Sequence, residues 1–236
     1  MNGNDLIRVI SFNLKRDFGL PLNRAHKWSE RRALAAQYIR ESGASIIGVQ
    51  ELLPNMREDV SRLLDVDYSV LGFGRYSGIR PQSDEHSDII IKNDSAKVNL
   101  IKTFWLSKEP EHLSRAYYAI FPRICTVAEI YLKDLGRSIR VFNTHLDHIC
   151  GIARTLGIRV ILGYMEHYNQ SGKDVWYDAS DETVSLDTIK DDLISVTYSN
   201  GVLTVNSIKS IESYYERSQR IDSGRTTAYF NKFRSF

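Results

Sequence analysis

The sequence predicts a layered α/β or α+β domain, and three features of the chain support that prediction. Strand-like and helix-like patterns alternate over the first 170 residues. Two strand–helix pairs come first and several consecutive strands follow them, which is typical of layered domains. No repeat, low-complexity tract or linker rich in Pro or Gly divides the 236 residues. We therefore expect a single domain over 1–236, with a divergent part at 171–236.

Each predicted element depends on a local pattern. Runs of β-branched and other apolar residues indicate buried strands, and apolar residues three and four positions apart indicate helices. Strands joined by turns of two to six residues are expected to pair as neighbours. The Asn200-Gly201 pair is typical of a hairpin turn. In chain order, we predict a strand at 6–14, a helix at 28–39, a strand at 45–50, a helix at 56–64, strands at 68–73, 89–91, 98–106, 120–132 and 139–142, a helix at 152–168, and weaker strands at 193–198, 203–211 and 226–233.

Composition excludes several classes of protein. Thirty-one Lys and Arg residues against 29 Asp and Glu residues give a net charge of +2, too even for nucleic-acid binding by bulk electrostatics. Any anionic substrate would need a local cluster of positive groups. Two cysteines, Cys125 and Cys150, make no disulfide framework. The N-terminus has no secretory signal and no run of 18 apolar residues spans a membrane, so the expectation is a cytoplasmic protein.

Polar residues stand where apolar strands end, most visibly in VFNTHLDHI at 141–149. Asn13 closes VISFN, Glu51 follows IIGVQ, Arg123 lies in FPRICTVA and His145 follows VFNT. Strand ends lie side by side along one edge of a layered sheet, so these side chains could converge. A carboxylate with an amide and an imidazole can hold Mg²⁺, orient a phosphate and stabilise its developing charge. Taken singly, each residue is more often a turn or helix-entry residue.

The sequence resembles the endonuclease/exonuclease/phosphatase superfamily, whose fold is deoxyribonuclease I-like. The resemblance covers about residues 6–170 and implies a layered β-sandwich flanked by helices. It is most specific where TFWLS and NTHLDH occur in one chain. The matching stretches are RVISFNL (8–14), IIGVQE (46–51), GFGRYSG (72–78), DEHSDIII (84–91), TFWLSKEPE (103–111), FPRICTVAEI (121–130) and VFNTHLDH (141–148).

The resemblance implies a role for each matching polar residue. Asn13 would orient the phosphate and the nucleophile, and Glu51 would be a ligand of Mg²⁺ or Mn²⁺. His145 would hydrogen-bond a phosphoryl oxygen, with Glu85 beside it to fix its tautomer. Arg123 would be a positive group toward the substrate phosphate.

Other matching residues would support that site. Trp28, with Arg31 or Arg32, would belong to a helix that packs beneath it. Asp147 and His148 would be loop groups around the first histidine.

The second half departs from the family pattern. The expected Gly-Asp-Phe-Asn, Ile-Asp-Tyr-Ile and Ser-Asp-His strings do not occur. In VWYDASDE, Asp178 is the candidate for the first carboxylate, with Ser180 where Asn is expected. The remaining positional candidates are Asp191 or Asp192 for the second string, Ser223, Gly224 and Arg225 for the third, and Asp222, about 6.6 Å along a strand from the expected aspartate.

Two functions follow from this pattern. The first is a Mg²⁺-dependent phosphoric-ester hydrolase, acting on a phosphodiester or phosphomonoester, with Asp178 as the base or a further carboxylate near the metal. Nucleic acid, a nucleotide, an inositol phosphate or a phospholipid head group would be its substrate. The second is a catalytically impaired member of the fold, a pseudoenzyme that binds or regulates. General-base help contributes about 10²–10⁴ in rate, so an unreplaced base would leave little turnover.

Overall fold

The computed structural model describes residues 7–17, 27–134 and 136–168, together with the backbone of two strands at 193–199 and 202–208. No helix in these parts is both long enough and apolar enough to cross a bilayer. The elements in chain order are β1 (Ile7–Asn13), α1 (Trp28–Ser42), β2 (Ile46–Gln50), α2 (Pro54–Leu64), β3 (Tyr68–Leu71), β4 (Ile89–Lys92), β5 (Ala96–Trp105), β6 (Ile124–Leu132), β7 (Arg137–Thr144), α3 (Gly151–Tyr168), β8 (Leu193–Ser199) and β9 (Val202–Ile208).

The strands form two sheets, which confirms the predicted layered α+β class. The first sheet has the order β3-β4-β2-β1-β8-β9, and the second has the order β5-β6-β7. In the first sheet β1 and β2 are parallel, while the other pairs are antiparallel. The carboxyl ends of β1 and β2 therefore lie at the same edge.

Apolar layers hold these elements together, and two of them lie on either side of the first sheet. One layer lies between the first sheet and helices α1 and α2, and it includes Trp28, Ile39 and Met56. The other lies where the two sheets face each other and includes Ile46 and Ile130. All five residues of β2 are buried, which is why this strand reads as a continuous apolar run with only a terminal Gln.

A buried amide side chain joins the two sheets. Asn143 of β7 donates from Nδ2 to the carbonyls of Val49 (2.9 Å) and Asp88 (2.8 Å). Its Oδ1 accepts from Nε2 of Gln50 at 2.7 Å. A Cβ at Gly48 would lie 2.7 Å from that Oδ1, so only glycine permits this close approach. The registration of the sheets near the site therefore depends on Asn143.

The rule that short turns join paired neighbours is wrong at one place. Three residues, 93–95, separate β4 from β5, yet the two strands lie in different sheets. The chain crosses over here, because the backbone of Asn93 donates to Asp67 while the backbone of Lys133 donates to Ser95. The turn thus serves both sheets, which is a tertiary constraint that turn length does not encode.

The strand ends also differ from the predicted ones. β6 begins at Ile124 rather than at 120, because Pro122 has no N–H to donate to a neighbouring strand. The hairpin around 200–201 has the predicted strands, with Ser199 opposite Val202. The predicted strand at 226–233 lies outside the described residues.

Candidate active site

The candidate site begins where the parallel strands β1 and β2 end. Asn13, the last residue of β1, lies opposite Gln50 in the register, which places it beside Glu51. Nδ2 of Asn13 donates to Oε1 of Glu51 at 3.0 Å. Glu51 has a φ of 59°, a left-handed conformation that is costly for a side chain of this kind. An edge held in a strained backbone conformation is typical of functional sites.

The loop after β1 folds over the Glu51 carboxylate. The backbone N–H of Arg16 donates to Oε2 of Glu51 at 2.7 Å. From α1, Arg31 donates to the carbonyls of Leu14 (2.5 Å) and Lys15 (2.8 Å). Both oxygens of Glu51 therefore have a defined orientation, and α1 supports the loop from below.

A second carboxylate, Glu85, lies among positive groups. Its Oε1 is 3.2 Å from Nη1 of Arg75 and 3.7 Å from Nδ1 of His145, and its Oε2 is 3.6 Å from Nη1 of Arg16. Burial alone would raise the pKa of Glu85, but His145, Arg75 and Arg123 lower it to about 2. Glu85 is therefore an anion at neutral pH.

Arg16 connects the two carboxylates. Its backbone N–H contacts Glu51 and its guanidinium contacts Glu85, so the Asn13–Glu51 pair and the Glu85–His145 pair border the same space. These residues come from the loop after β1, the end of β2, the loop before β4 and the end of β7. Four distant parts of the chain meet here.

The Arg123 guanidinium is directed to the loop that follows β7. Its Nη2 lies 2.8 Å from Nδ1 of His148, and its Nε lies 3.5 Å from Oδ2 of Asp147. Since a guanidinium only donates, Nδ1 of His148 is the acceptor, which places any ring proton of the neutral form on Nε2. Nη1 of Arg123 also points to the carbonyl of His145 at 3.5 Å. Arg123 therefore fixes the loop that carries the first histidine.

Asp147 shapes the same loop from the other side. Its Oδ1 accepts from the backbone N–H groups of Ile149 (3.0 Å) and Cys150 (2.7 Å), just before α3 begins. Burial opposes ionisation of Asp147, but these two hydrogen bonds and the charge of Arg123 lower its pKa. His145 is thus presented by a loop with little freedom to rearrange.

Four of the predicted site residues lie together. Asn13, Glu51, Glu85 and His145 come together, and Arg123 contacts the loop that carries His145. Asp178 lies outside the described residues, as do Ser180 and the candidates at 222–225. The catalytic roles of all of these residues stay predictions.

The helix predicted to support the site does so through Arg31. Arg31 holds the loop after β1, as described above. Arg32 instead pairs with Asp59 of α2 at 3.0 Å, and Trp28 donates its indole N–H to the same carboxylate at 3.0 Å. Helix α1 therefore contacts the loop after β1 through Arg31, and it contacts α2 through Arg32 and Trp28.

Sequence reasoning missed two arginines of the site, Arg16 and Arg75. Arg75 lies in the GFGRYSG stretch, is 3% exposed, and packs its guanidinium 4.8 Å from the centroid of the Phe121 ring. Burial lowers the pKa of Arg75, and the charge of Glu85 opposes that effect. An arginine in a loop is normally solvated, so the sequence signal for a role of Arg75 in the site was its position within the matched GFGRYSG stretch.

The carboxylates of the site determine whether it could hold a divalent metal. Within residues 7–17, 27–134 and 136–168, no group of three His, Cys, Asp or Glu side chains could hold an ion. Mg²⁺, however, is commonly bound by one or two carboxylates, with water and substrate phosphate completing its coordination. Each oxygen of Glu51 accepts one hydrogen bond and has a further lone pair. Glu51 therefore fits the single-carboxylate case.

Comparisons with solved structures identify the fold and the family. An endonuclease/exonuclease/phosphatase family protein from Bacteroides thetaiotaomicron is 30% identical, with a TM-score of 0.66, and the match covers 72% of this chain and 59% of that one. The mannosyl-6-phosphatase of B. thetaiotaomicron VPI-5482 is also 30% identical (TM-score 0.66; 72% and 62%). The endonuclease/exonuclease/phosphatase from Bacteroides vulgatus is 27% identical (TM-score 0.64; 70% and 61%).

The fold is that of the deoxyribonuclease I-like proteins. The chain belongs to the endonuclease/exonuclease/phosphatase superfamily. It spans about three fifths of the length of the structures it matches. No protein-family model matches the chain, and no curated protein sequence matches it.

Proposed function

We propose that this protein hydrolyses phosphate esters with the help of a divalent cation. The contact of Arg16 with both Glu51 and Glu85 is the main support, because it places the amide, both carboxylates and the imidazole around one space. That combination suits a substrate with a negative phosphoryl group and a developing negative charge. The family also favours this chemistry, since its members include a mannosyl-6-phosphatase.

In the proposed reaction, water attacks the phosphorus atom and the bond from phosphorus to the ester oxygen breaks. The alcohol leaves with a proton, and phosphate or a phosphate monoester remains. His145 faces the Glu85 carboxylate through Nδ1, so Nδ1 carries a proton, and Nε2 would donate to a phosphoryl oxygen when the ring carries both protons. Glu85 stabilises that doubly protonated ring, and Asn13 orients the phosphate beside Glu51. Asp178 stays the predicted candidate for the base that takes the proton of the water.

Glu51 would hold the cation, Mg²⁺ or Mn²⁺, which supplies positive charge to the phosphoryl oxygens. The two hydrogen bonds to its carboxylate fix the direction of its free lone pairs. His145, Arg75 and Arg123 keep Glu85 ionised, and Glu85 in turn balances the charge of Arg75 and Arg16 next to the phosphate.

Turnover of small phosphate esters tests the proposal. Purified protein with Mg²⁺ is expected to hydrolyse at least one of mannose 6-phosphate, glycerol 3-phosphate, a nucleotide, DNA or RNA. The substitutions Glu51→Gln and His145→Ala should each reduce kcat/KM by about 100-fold or more, which is the usual effect of losing one electrostatic or acid–base group. The measurement is released phosphate, or cleaved strands for the nucleic acids.

The matched controls are Glu41→Gln and His112→Ala, which make the same changes at exposed positions outside the site. Both should retain wild-type turnover. Wild-type protein that never exceeds the Glu51→Gln variant on any substrate would contradict the proposal. That result would favour the binding or regulatory function, which phosphate binding without turnover would then support.

A further inference from the structure

A tight turn in the segment before β6 carries two aromatic side chains in an unusual position. The backbone N–H of Ala119 donates to the carbonyl of Ala116 at 3.0 Å, so Tyr117 and Tyr118 are the central residues of this turn. Central turn positions normally favour Gly, Pro, Asn, Asp or Ser, for conformational reasons. Tyr117 is 86% exposed and Tyr118 is 59% exposed. Two large rings in solvent at the tip of a turn do not contribute to the core.

The turn is nevertheless held firmly. Ala116 and Ala119 are buried and pack with Ala153 of α3. Arg115 donates to the carbonyl of Ile120 at 3.1 Å, which closes the segment from the other side. The rings of Tyr117 and Tyr118 contact each other edge to face, with centroids 4.7 Å apart and an interplanar angle of 89°. The tyrosine turn, residues 116–119, therefore presents a preformed aromatic surface.

The tyrosine turn is attached to the candidate site by two short connections. Phe121, two residues after the turn, lies under the guanidinium of Arg75, and Arg123 follows it. On the other side, Ala153 lies in the first turn of α3, directly after the loop that carries His145 and His148. Four extended residues span at most about 14 Å, so Tyr117 is within one small molecule's length of Phe121.

We propose that Tyr117 and Tyr118 bind the ring of the substrate's alcohol while the candidate site holds its phosphate. This inference depends on the proposed function and narrows the substrate class to phosphate esters whose alcohol carries a ring, such as a hexose or a nucleoside. A ring presents a flat face that packs on an aromatic surface, and the tyrosine hydroxyls can bond to its polar edge. The tyrosine turn is attached to the segments that carry Arg75 and His145, so its distance from the candidate site is fixed. A subsite for one part of a substrate requires such a fixed distance, whereas a membrane anchor does not.

The test compares a ring-bearing and a ring-free ester in the full chain. The double substitution Tyr117→Ser with Tyr118→Ser should reduce kcat/KM for mannose 6-phosphate or AMP by about tenfold, through KM, the effect of losing an aromatic contact. Glycerol 3-phosphate should be hydrolysed at the wild-type rate. Which of the two ring esters is affected more distinguishes a hexose from a nucleoside. Tyr117→Phe with Tyr118→Phe should keep most of the preference for the ring-bearing ester over glycerol 3-phosphate. Val66 is an exposed apolar residue outside the tyrosine turn, and Val66→Ser should leave both rates unchanged.

Three results would overturn the inference. Equal losses for both esters would mean that the turn acts only on folding, and no loss would mean that the tyrosines do not touch substrate. Binding to phosphatidylserine vesicles that the double substitution abolishes, with an unchanged ester preference, would assign the turn to a membrane surface.

Failure of the proposed function gives a different signal. If wild-type protein turns over no ester, calorimetric binding of mannose 6-phosphate, AMP and glycerol 3-phosphate replaces the rates. The double substitution must then weaken only the ring-bearing ligands by about tenfold. Equal affinities in wild-type and substituted protein would reject the aromatic subsite independently of catalysis.

Discussion

Glu85 is the residue on which the charge balance of the site depends. It is buried, and Arg75, Arg16 and His145 all lie within ion-pair reach of its oxygens. Removal of one partner from such a cluster leaves buried charge without compensation, which costs several kcal/mol. Because its pKa is about 2 in the folded chain, against an ordinary value of 4.5, Glu85 also links stability to pH.

The linkage gives a prediction for Glu85→Gln. A carboxyl whose pKa is lowered on folding stabilises the protein fully above its unfolded pKa, near 4.5, and this stabilisation is lost as pH falls toward 2. The shift corresponds to at most about 3 kcal/mol in the free energy of unfolding. Urea unfolding at a series of pH values should therefore show a gap between wild type and Glu85→Gln that narrows below pH 4.5. A difference in the free energy of unfolding that stays constant down to pH 2.5 would contradict the stabilisation of the Glu85 anion by its charged neighbours.

At this scale, the sequence predicted some site residues and not others for a physical reason. Asn13 and Glu51 end apolar strands, and strand ends of a parallel pair meet whatever the loops do. Arg16 and Arg75 lie within loops, where an arginine is usually solvated. The burial of Arg75 and the partial burial of Arg16 depend on how those loops pack against Glu85, and this information is distributed over the whole fold.

Among the elements, β2 and β7 matter most because Asn143 bridges them. The bridge satisfies two carbonyls of the first sheet and fixes Gln50, the residue before Glu51. It therefore couples the end of β7, which delivers His145, to the end of β2, which delivers Glu51. Sheet packing at this point directly sets the geometry of the site.

Replacing Asn143→Ala should lower the free energy of unfolding by about 2–4 kcal/mol, because it leaves buried hydrogen-bonding groups unpaired. Chemical denaturation provides the measurement. Asn99→Ala is the matched control, since Asn99 is exposed and its Nδ2 makes one bond of 3.3 Å to Ser138. It should cost less than about 0.5 kcal/mol. Equal effects at the two positions would exclude a bridging role for Asn143.

The elements also show where pattern reasoning reaches its limit. Apolar periodicity predicts α1, α2 and α3 because each helix has a face to bury. The assignment of β4 and β5 to different sheets does not follow from any local pattern. It follows from contacts of the 93–95 turn with Asp67 and Lys133, which are distant in sequence.

At the scale of the whole molecule, the two sheets bring strand ends from separate parts of the chain to one edge. β8 pairs with β1 and extends the first sheet on the side away from β2. The single-domain organisation over 1–236 stays a prediction. The family assignment, by contrast, follows from the match of about 70% of the chain to structures of that family.

A cation bound by Glu51 should stabilise the folded molecule. Since a ligand of the native state raises stability by mass action, saturating Mg²⁺ or Mn²⁺ should raise the Tm of wild-type protein by several degrees. EDTA should reverse the shift and abolish turnover. Glu51→Gln should show no shift, while Glu41→Gln should shift like wild type. A wild-type shift that Glu51→Gln retains would place the cation elsewhere.

Energetic coupling between Glu51 and His145 tests the central claim most directly, because in the proposed function both residues act on the same phosphate. The measurement is kcat/KM for wild type, Glu51→Gln, His145→Ala and the double variant. Groups that act as a unit are strongly non-additive, so the double variant should be little slower than the slower single variant. Losses that multiply, or a wild-type protein without turnover, would contradict a single hydrolytic site.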